Sequence, residues 1–435
     1  MSDQITGTTA ADIADSVRDL RDRGVLQAGS PLPPVRELAA TLGVNRNTAV
    51  SAYRLLAQAG LVVSRGRAGT VVAGLGSVAQ EGYAADTVLR DVGTGNPDPR
   101  LIPDPSAALA TVAGRPVLYG EPVIDRGLDA WARDWVAGDL GDSDFRITVT
   151  SGAVDAVERL LAQALMRDDA VALEDPCFLA SIHTVRLGGY RAVAVPVDAE
   201  GMTVDGLRAA LDAGVRAVIC TPRAQNPTGA SLTPRRAADL RAVLAVHPYV
   251  LIIEDDHFSV LSQRSYESLI GPDHRRFALV RSVSKFLGPD MCLAVAATDA
   301  TTAGRLAMRL SPGTTWVSHL LQRLTLTQMT DPAVLSRIDE AREHYSSRNS
   351  AFVERLREHG LDASVPDGLS LWLPLPRPAR VVAERLMRRG WLARTGDDFA
   401  LDDRADPSHH LRLTVHDLSD EDATTLIDDL VAAVR

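Results

Sequence analysis

Phe277-Ala278-Leu279-Val280-Arg281-Ser282-Val283-Ser284-Lys285 carries the single lysine of a 435-residue chain whose 46 lysines and arginines are otherwise all arginine. Its apolar start reads as a buried strand, and the Ser-x-Ser-Lys ending places an amine just beyond that strand. Arginine is always protonated, whereas a lysine can lose its proton and form an imine with a carbonyl. A chain that uses arginine wherever a cation serves solubility or pairing keeps its one lysine for chemistry a guanidinium cannot perform.

On either side of this stretch, short apolar runs alternate with helical patterns. Residues 146–150, 170–173, 191–195, 217–220 and 250–253 are strand candidates; 153–166, 203–211 and 234–246 are helix candidates. That alternation predicts an α/β sheet with helices on both faces, and ligands in such sheets sit beyond the carboxyl ends of the strands. Three further features fall at those ends. Ser151-Gly152-Ala153 opens a helix, whose first amides suit a phosphate. Asn226, in Gln225-Asn226-Pro227-Thr228-Gly229, offers an amide to the cleft. Asp255, in Glu254-Asp255-Asp256-His257-Phe258, puts a carboxylate at the end of a deep strand, where it needs a cationic partner. A phosphate cradle, an amide, a buried acid and an amine in this chain order form a site for pyridoxal 5′-phosphate.

The amino-terminal part reads differently. Residues 10–28 have the apolar spacing of a helix; Val35–Leu42 predicts a second, ended by Gly43, and Arg46–Ala59 a third, capped by Asn45. Residues 60–63 and 70–72 predict a hairpin with Arg65 and Arg67 at its tip. Two short helices joined by a turn, then a hairpin, make a winged helix-turn-helix. Residues 1–75 hold eight arginines and six acids against a whole-chain net charge of −10, so a basic module is attached to an acidic body. No apolar run approaches the roughly 20 residues of a membrane span, and the start lacks the pattern of a secretion signal. Cys177, Cys220 and Cys292 are odd in number and widely spaced, which indicates neither a disulfide framework nor a metal site. A cytoplasmic protein is expected.

Leu32-Pro33-Pro34-Val35-Arg36-Glu37-Leu38-Ala39, Leu42-Gly43-Val44-Asn45-Arg46-Asn47-Thr48, Ala52-Tyr53-Arg54-Leu55-Leu56 and Gly69-Thr70 resemble the GntR family of bacterial regulators. The resemblance implies a double-stranded DNA operator contacted by Arg36, Asn45, Arg46 and Thr48, with Arg67 on the wing reaching the minor groove. From residue 90 onward, Gly95-Asn96-Pro97-Asp98, Leu118-Tyr119-Gly120, Glu174-Asp175-Pro176, the Asn226 stretch and the lysine segment resemble fold-type I aminotransferases. This likeness implies that Lys285 holds pyridoxal 5′-phosphate, Asp255 pairs with the ring nitrogen, Asn226 and His257 donate to the ring 3-oxygen and Phe178 stacks on the ring. It further implies that Ser151, Gly152, Ala153 and Ser282 bind the phosphate, together with Tyr119 from a neighbouring subunit, and that Arg412 grips an effector carboxylate. Cys292 departs from the pattern, since relatives carry a phosphate-binding arginine there.

The two halves together resemble the MocR regulators, in the branch concerned with vitamin B6. That implies a winged helix-turn-helix over residues 1–75, a linker over 76–90 and an aminotransferase-like, dimerising domain over 91–435. It also implies a homodimer, domain-swapped in one arrangement, whose effector is a B6 vitamer or an amino acid. The alternative reading is a working aminotransferase with an appended DNA-binding domain.

Overall fold

The computed structural model describes residues 4–59, 61–64, 69–72, 82, 84, 87–112, 116–141, 143–311, 315–401 and 406–435. The chain divides into two compact units, Met1–Gln80 and Glu81–Arg435.

The first unit holds α1 (Ala10–Asp22), α2 (Val35–Leu42), α3 (Arg46–Gln58), β1 (Val62–Ser64) and β2 (Thr70–Val72). Helix α1 stops short of the expected residue 28 because Gly24 takes a left-handed φ of +74° and the Val25 and Leu26 amides fold back onto the Leu20 carbonyl. Gly43, at φ +65°, ends α2, and the Asn45 side chain accepts the Asn47 amide at 2.8 Å to start α3. Ile13, Val17, Leu38, Ala52, Leu56, Val62 and Val72 are buried against one another. Tyr53 is buried too, its hydroxyl donating to the Pro33 carbonyl.

The second unit begins with β3 (Arg90–Asp91). Its main sheet comprises β4 (Arg146–Thr150), β5 (Ala170–Asp175), β6 (Arg191–Asp198), β7 (Gly201–Met202), β8 (Ala217–Cys220), β9 (Leu251–Asp255), β10 (Phe277–Ser282) and β11 (Ala294–Thr298). They lie in the order β4-β11-β10-β9-β8-β5-β6-β7. Strands β10, β9, β8, β5 and β6 run parallel; β11 is antiparallel to both its neighbours, β10 and β4. Around it pack α4 (Ser106–Thr111), α5 (Arg126–Leu140), α6 (Ala153–Ala164), α7 (Leu179–Leu187), α8 (Val204–Asp212), α9 (Pro234–Leu244), α10 (Ser284–Leu287), α11 (Ala300–Leu310) and α12 (His319–Met329). Alternate residues of the central strands enter different cores: Ala172, Val218, Ile252 and Leu279 one, Leu173, Ile219, Ile253 and Val280 the other. A sheet covered on both faces explains why these strands read as continuous apolar runs.

A carboxyl-terminal layer completes the unit. It contains α13 (Pro332–Glu358), β12 (Leu371–Pro374), α14 (Ala379–Met387), β13 (Trp391–Leu392), β14 (Arg394–Thr395), β15 (His410–Leu413) and α15 (Asp420–Val434). Strands β12, β15 and β14 form a small antiparallel sheet, and β13 pairs in parallel with β3.

Candidate functional site

The carboxyl ends of β5, β8, β9, β10 and β4 come together, and the antiparallel β11 starts at the same end, with Ala294 beside both Ser282 and Thr150. Lys285 lies in α10, immediately after β10, and its Nζ donates to the Gly95 carbonyl at 2.9 Å. Asp255 is the last residue of the neighbouring β9, in register with Val280. It is buried, and its Oδ1 has no hydrogen-bond partner among the described residues. Burial, and then the charge of Asp256, push its pKa up to about 7 against the pull of Lys285.

Asp256 points into a different network. It receives bonds from Arg223 at 2.7 and 2.8 Å and from Arg281 at 2.7 Å, and these guanidiniums hold its carboxyl below the usual range although burial acts the other way. Arg281, only 2 % exposed, continues to the Trp135 carbonyl and the Asp139 carboxylate of α5. The two aspartates of one strand end thus differ: Asp256 is saturated by arginines, whereas Asp255 keeps an unmet demand for a proton donor.

Arg412, on β15, is fully buried with its guanidinium 4.7 Å from the Phe399 ring centroid. Its Nη1 donates to Asn226 Oδ1 at 3.1 Å, and its Nη2 to the Gly93 carbonyl. Gly95, Asn226, His257 and Lys285 line a common cavity of about 20 Å³. Phe178 caps the start of α7, and its ring is nearly parallel to that of His257, at 14° with centroids 6.4 Å apart.

Ser151, Gly152 and Ala153 lead into α6, with Gly152 at φ +91°. The Cys292 thiol donates to the Ser151 carbonyl at 3.2 Å, and a Cβ added to Gly152 would lie 3.4 Å from its sulfur. Burial raises the pKa of this thiol, and the charges of Asp155 and Asp290 add to the effect, so it stays neutral beside the helix start. Ser282 Oγ donates to Ser284 Oγ at 3.0 Å. Tyr119 stands apart from this cluster: it is 89 % exposed, with its ring 5.4 Å from that of Trp316. An orphaned carboxylate, an aromatic face, an amine and a helix start with small residues fit a planar heteroaromatic ring bearing a phosphate and a carbonyl.

In the amino-terminal unit, Arg46 opens α3 with Asn45 and Thr48 beside it, and Arg36 is the second residue of α2. Arg36, Asn45 and Arg46 are exposed, and neither arginine forms an ion pair among the described residues. Free guanidiniums at a helix start suit phosphates and guanine edges. Arg67 lies outside the described residues. Three participants carried no side-chain signal in the sequence: the Gly93 and Gly95 carbonyls, and Thr414, whose Oγ1 accepts the Gly95 amide at 2.9 Å. Among the described residues no group of three or more His, Cys, Asp and Glu could hold a metal ion, and no helix is long and apolar enough to cross a membrane.

The sequence matches the aminotransferase class I and II family over residues 140–430 and the gntR family of bacterial regulatory proteins over 9–72. It is 45 % identical over 432 residues to the vitamin B6 salvage pathway transcriptional repressor PtsJ of Salmonella typhimurium, covering 99 % of this chain and 100 % of that one. It is 28 % identical over 265 residues to the pyridoxine biosynthesis transcriptional regulator PdxR of Corynebacterium glutamicum, covering 57 % and 56 % of the two chains. Among solved structures, the Pyrococcus horikoshii kynurenine aminotransferase superposes with a TM-score of 0.71 at 21 % identity, over 80 % of this chain and 91 % of that one. The α-aminoadipate aminotransferase LysN of Thermus thermophilus gives 0.69 at 21 %, over 80 % and 92 %. At these identities the superpositions speak for the fold alone.

Proposed function

We propose, from the premise that this chain belongs to the aminotransferase class I and II family and its amino-terminal module to the bacterial gntR regulators, that it senses the vitamin B6 pool and represses B6 salvage genes. It is a DNA-binding transcriptional regulator with a pyridoxal-phosphate domain. The full-length 45 % identity to a B6 salvage repressor supports the finer reading. The observation that carries it at the site is the buried, half-unsatisfied Asp255 beside Lys285.

Bound pyridoxal 5′-phosphate supplies a carbonyl for the Lys285 amine and a ring nitrogen for Asp255. The chain supplies the rest. Asp255 holds a proton at the ring nitrogen, which cancels the cost of its own burial. Phe178 stacks on the ring, and the Asn226 amide and the His257 imidazole donate to its 3-oxygen. Ser151, Gly152, Ala153 and Ser282 receive the phosphate, and Arg412 turns its fork toward an effector carboxylate. Arg36, Arg46, Asn45 and Thr48 meet the DNA. We place the protein in the cytoplasm as a homodimer: Leu118, Tyr119, Val123 and Leu320 are exposed apolar residues that a second copy would cover.

Full-length protein and its Lys285→Ala variant, each titrated with pyridoxal 5′-phosphate, test this reading. The parent should gain a visible absorption band and change its affinity for DNA from the promoters of B6 salvage genes. The variant should show neither change while still binding that DNA, and Arg46→Ala should bind it weakly with or without the vitamer. Identical spectra for parent and Lys285→Ala would sink the assignment. Retention of Lys285, Asp255, Asn226 and Arg412 also favours a second reading, a working aminotransferase; sustained turnover of an amino acid and a keto acid would establish it.

A further inference from the structure

The amine and the carboxylate-gripping guanidinium of the site both bond to the main chain of one short segment. Gly93 O accepts from Arg412 Nη2 and, at 3.1 Å, from Arg394 Nε; Gly95 O accepts from Lys285 Nζ at 2.9 Å. The segment is fixed on either side of this crossing. Val92 pairs through its amide with Leu392 O and through its carbonyl with the Thr414 amide, and the Asp98 amide meets the Tyr345 hydroxyl at 3.1 Å. Between these points it is held by Thr414 Oγ1 on the Gly95 amide and by the His416 ring on the Asn96 carbonyl. It fits tightly: a Cβ on Gly93 would lie 2.8 Å from Arg394 Cγ.

With this segment in place the cavity at Lys285 is about 20 Å³. A single water needs roughly 10–15 Å³ by the same measure, so the space beside Lys285 and Asn226 holds little more than one water while Gly95 keeps its place. Of this lining only Lys285 lies in a helix or strand, and Gly95 is the part whose carbonyl bonds to the Lys285 amine.

We propose that residues 93–96 are a displaceable strap, whose Gly93 and Gly95 carbonyls occupy on Arg412 and Lys285 the places that a ligand's carboxylate and carbonyl take when it binds. The inference rests on the cofactor assignment above and adds how occupancy leaves the site. A peptide carbonyl is a neutral acceptor; a carboxylate on the same guanidinium makes a charge-assisted bond roughly twice as strong. The ligand therefore favours the strap-released state by this difference in bonding, as any ligand that shifts a conformation must. The strap also holds the chain that leads back toward the DNA-binding module. The Gly82 amide donates to Thr94 O at 2.8 Å, and the Ala84 amide to Asp91 Oδ2 at 2.9 Å. Releasing Thr94 releases Gly82, which lies two residues beyond the end of the amino-terminal unit.

Hydrogen exchange on the full-length protein tests this, with and without pyridoxal 5′-phosphate and with the visible band followed in parallel. The expected result is at least tenfold faster exchange in peptides spanning 82–98 once the band has formed. Thr414→Val removes the acceptor for Gly95 without touching Lys285 or Arg412. It should raise exchange in the same peptides before any ligand is added and make the band grow several-fold faster. A band that forms with unchanged exchange over 82–98 overturns the strap and leaves the cofactor assignment standing. The absence of any band overturns both. Should Thr414→Val fail to fold by circular dichroism, the exchange comparison on the parent protein decides alone.

Discussion

Cys292 and Asp255 show how single side chains set the strength of this site. Cys292 stands beside the start of α6, where the resemblance to aminotransferases leads one to expect an arginine, and its neutral thiol gives a phosphate no counter-charge. A hydrogen bond to an ion contributes about 1.5–3 kcal/mol. Cys292→Arg should therefore tighten pyridoxal 5′-phosphate binding by roughly tenfold or more in an absorbance titration; unchanged affinity would contradict this account of the cradle. Asp255 has the opposite problem, a buried carboxyl with nothing on Oδ1. Its pKa, about 7 in the folded chain against an ordinary 3.8, means that the folded state holds the proton over a range where the unfolded state has lost it. Its contribution to stability is present below pH 4 and is lost as pH rises through 7. Asp255→Asn does not titrate. In the absence of ligand the variant should match the parent near pH 4 and exceed it by about 1–3 kcal/mol at pH 8, read from urea unfolding at each pH. With pyridoxal 5′-phosphate present the order should reverse, because the variant has no charge to offer the ring nitrogen.

Strand ends make these residues a site, and ion pairs fix the ends to one another. Arg281, at the end of β10 and four residues before Lys285, joins Asp256, just past β9, to Asp139 of α5. With Arg281 2 % exposed and Asp256 fully buried, removing one partner strands a charge in the interior. Such losses cost about 3–5 kcal/mol, so Arg281→Met should lower stability by that amount in chemical denaturation. Asp256 keeps its Arg223 partner, which favours the lower end. The strand β11 matters in a different way. Its residues Ala294–Thr298 were an apolar run like the others, yet the sequence reading assigned no strand there. Only the antiparallel pairing with β10 and β4 carries Cys292 to the lip of the Ser151–Gly152 turn. The first helix was also read six residues too long, because the apolar spacing continued through Val25-Leu26 while Gly24 turned the backbone away.

At the scale of the molecule, a basic DNA-binding module and an acidic aminotransferase-like body share one chain. Leu320 on α12 is 59 % exposed. If this face is the homodimer contact, Leu320→Glu should shift full-length protein from dimer to monomer in sedimentation experiments and leave circular dichroism unchanged. The sequence by itself determined the two-part plan, the α/β class of the body, the helix-turn-helix and the gathering of Lys285, Asp255, Asn226 and Ser151–Ala153 at strand ends. Those features follow from local rules: apolar period, turn residues, and the tendency of parallel sheets to bind ligands where their strands stop. The tertiary structure alone decided that Asp256 would be saturated by Arg223 and Arg281 while Asp255 would not, that Phe178 would face His257, and that Gly93 and Gly95 would lie across the amine and the guanidinium. The reason is physical. Which of two adjacent carboxylates meets an arginine depends on the direction its side chain leaves the strand, and a backbone carbonyl is common to every residue, so its role is set by position and not by residue type.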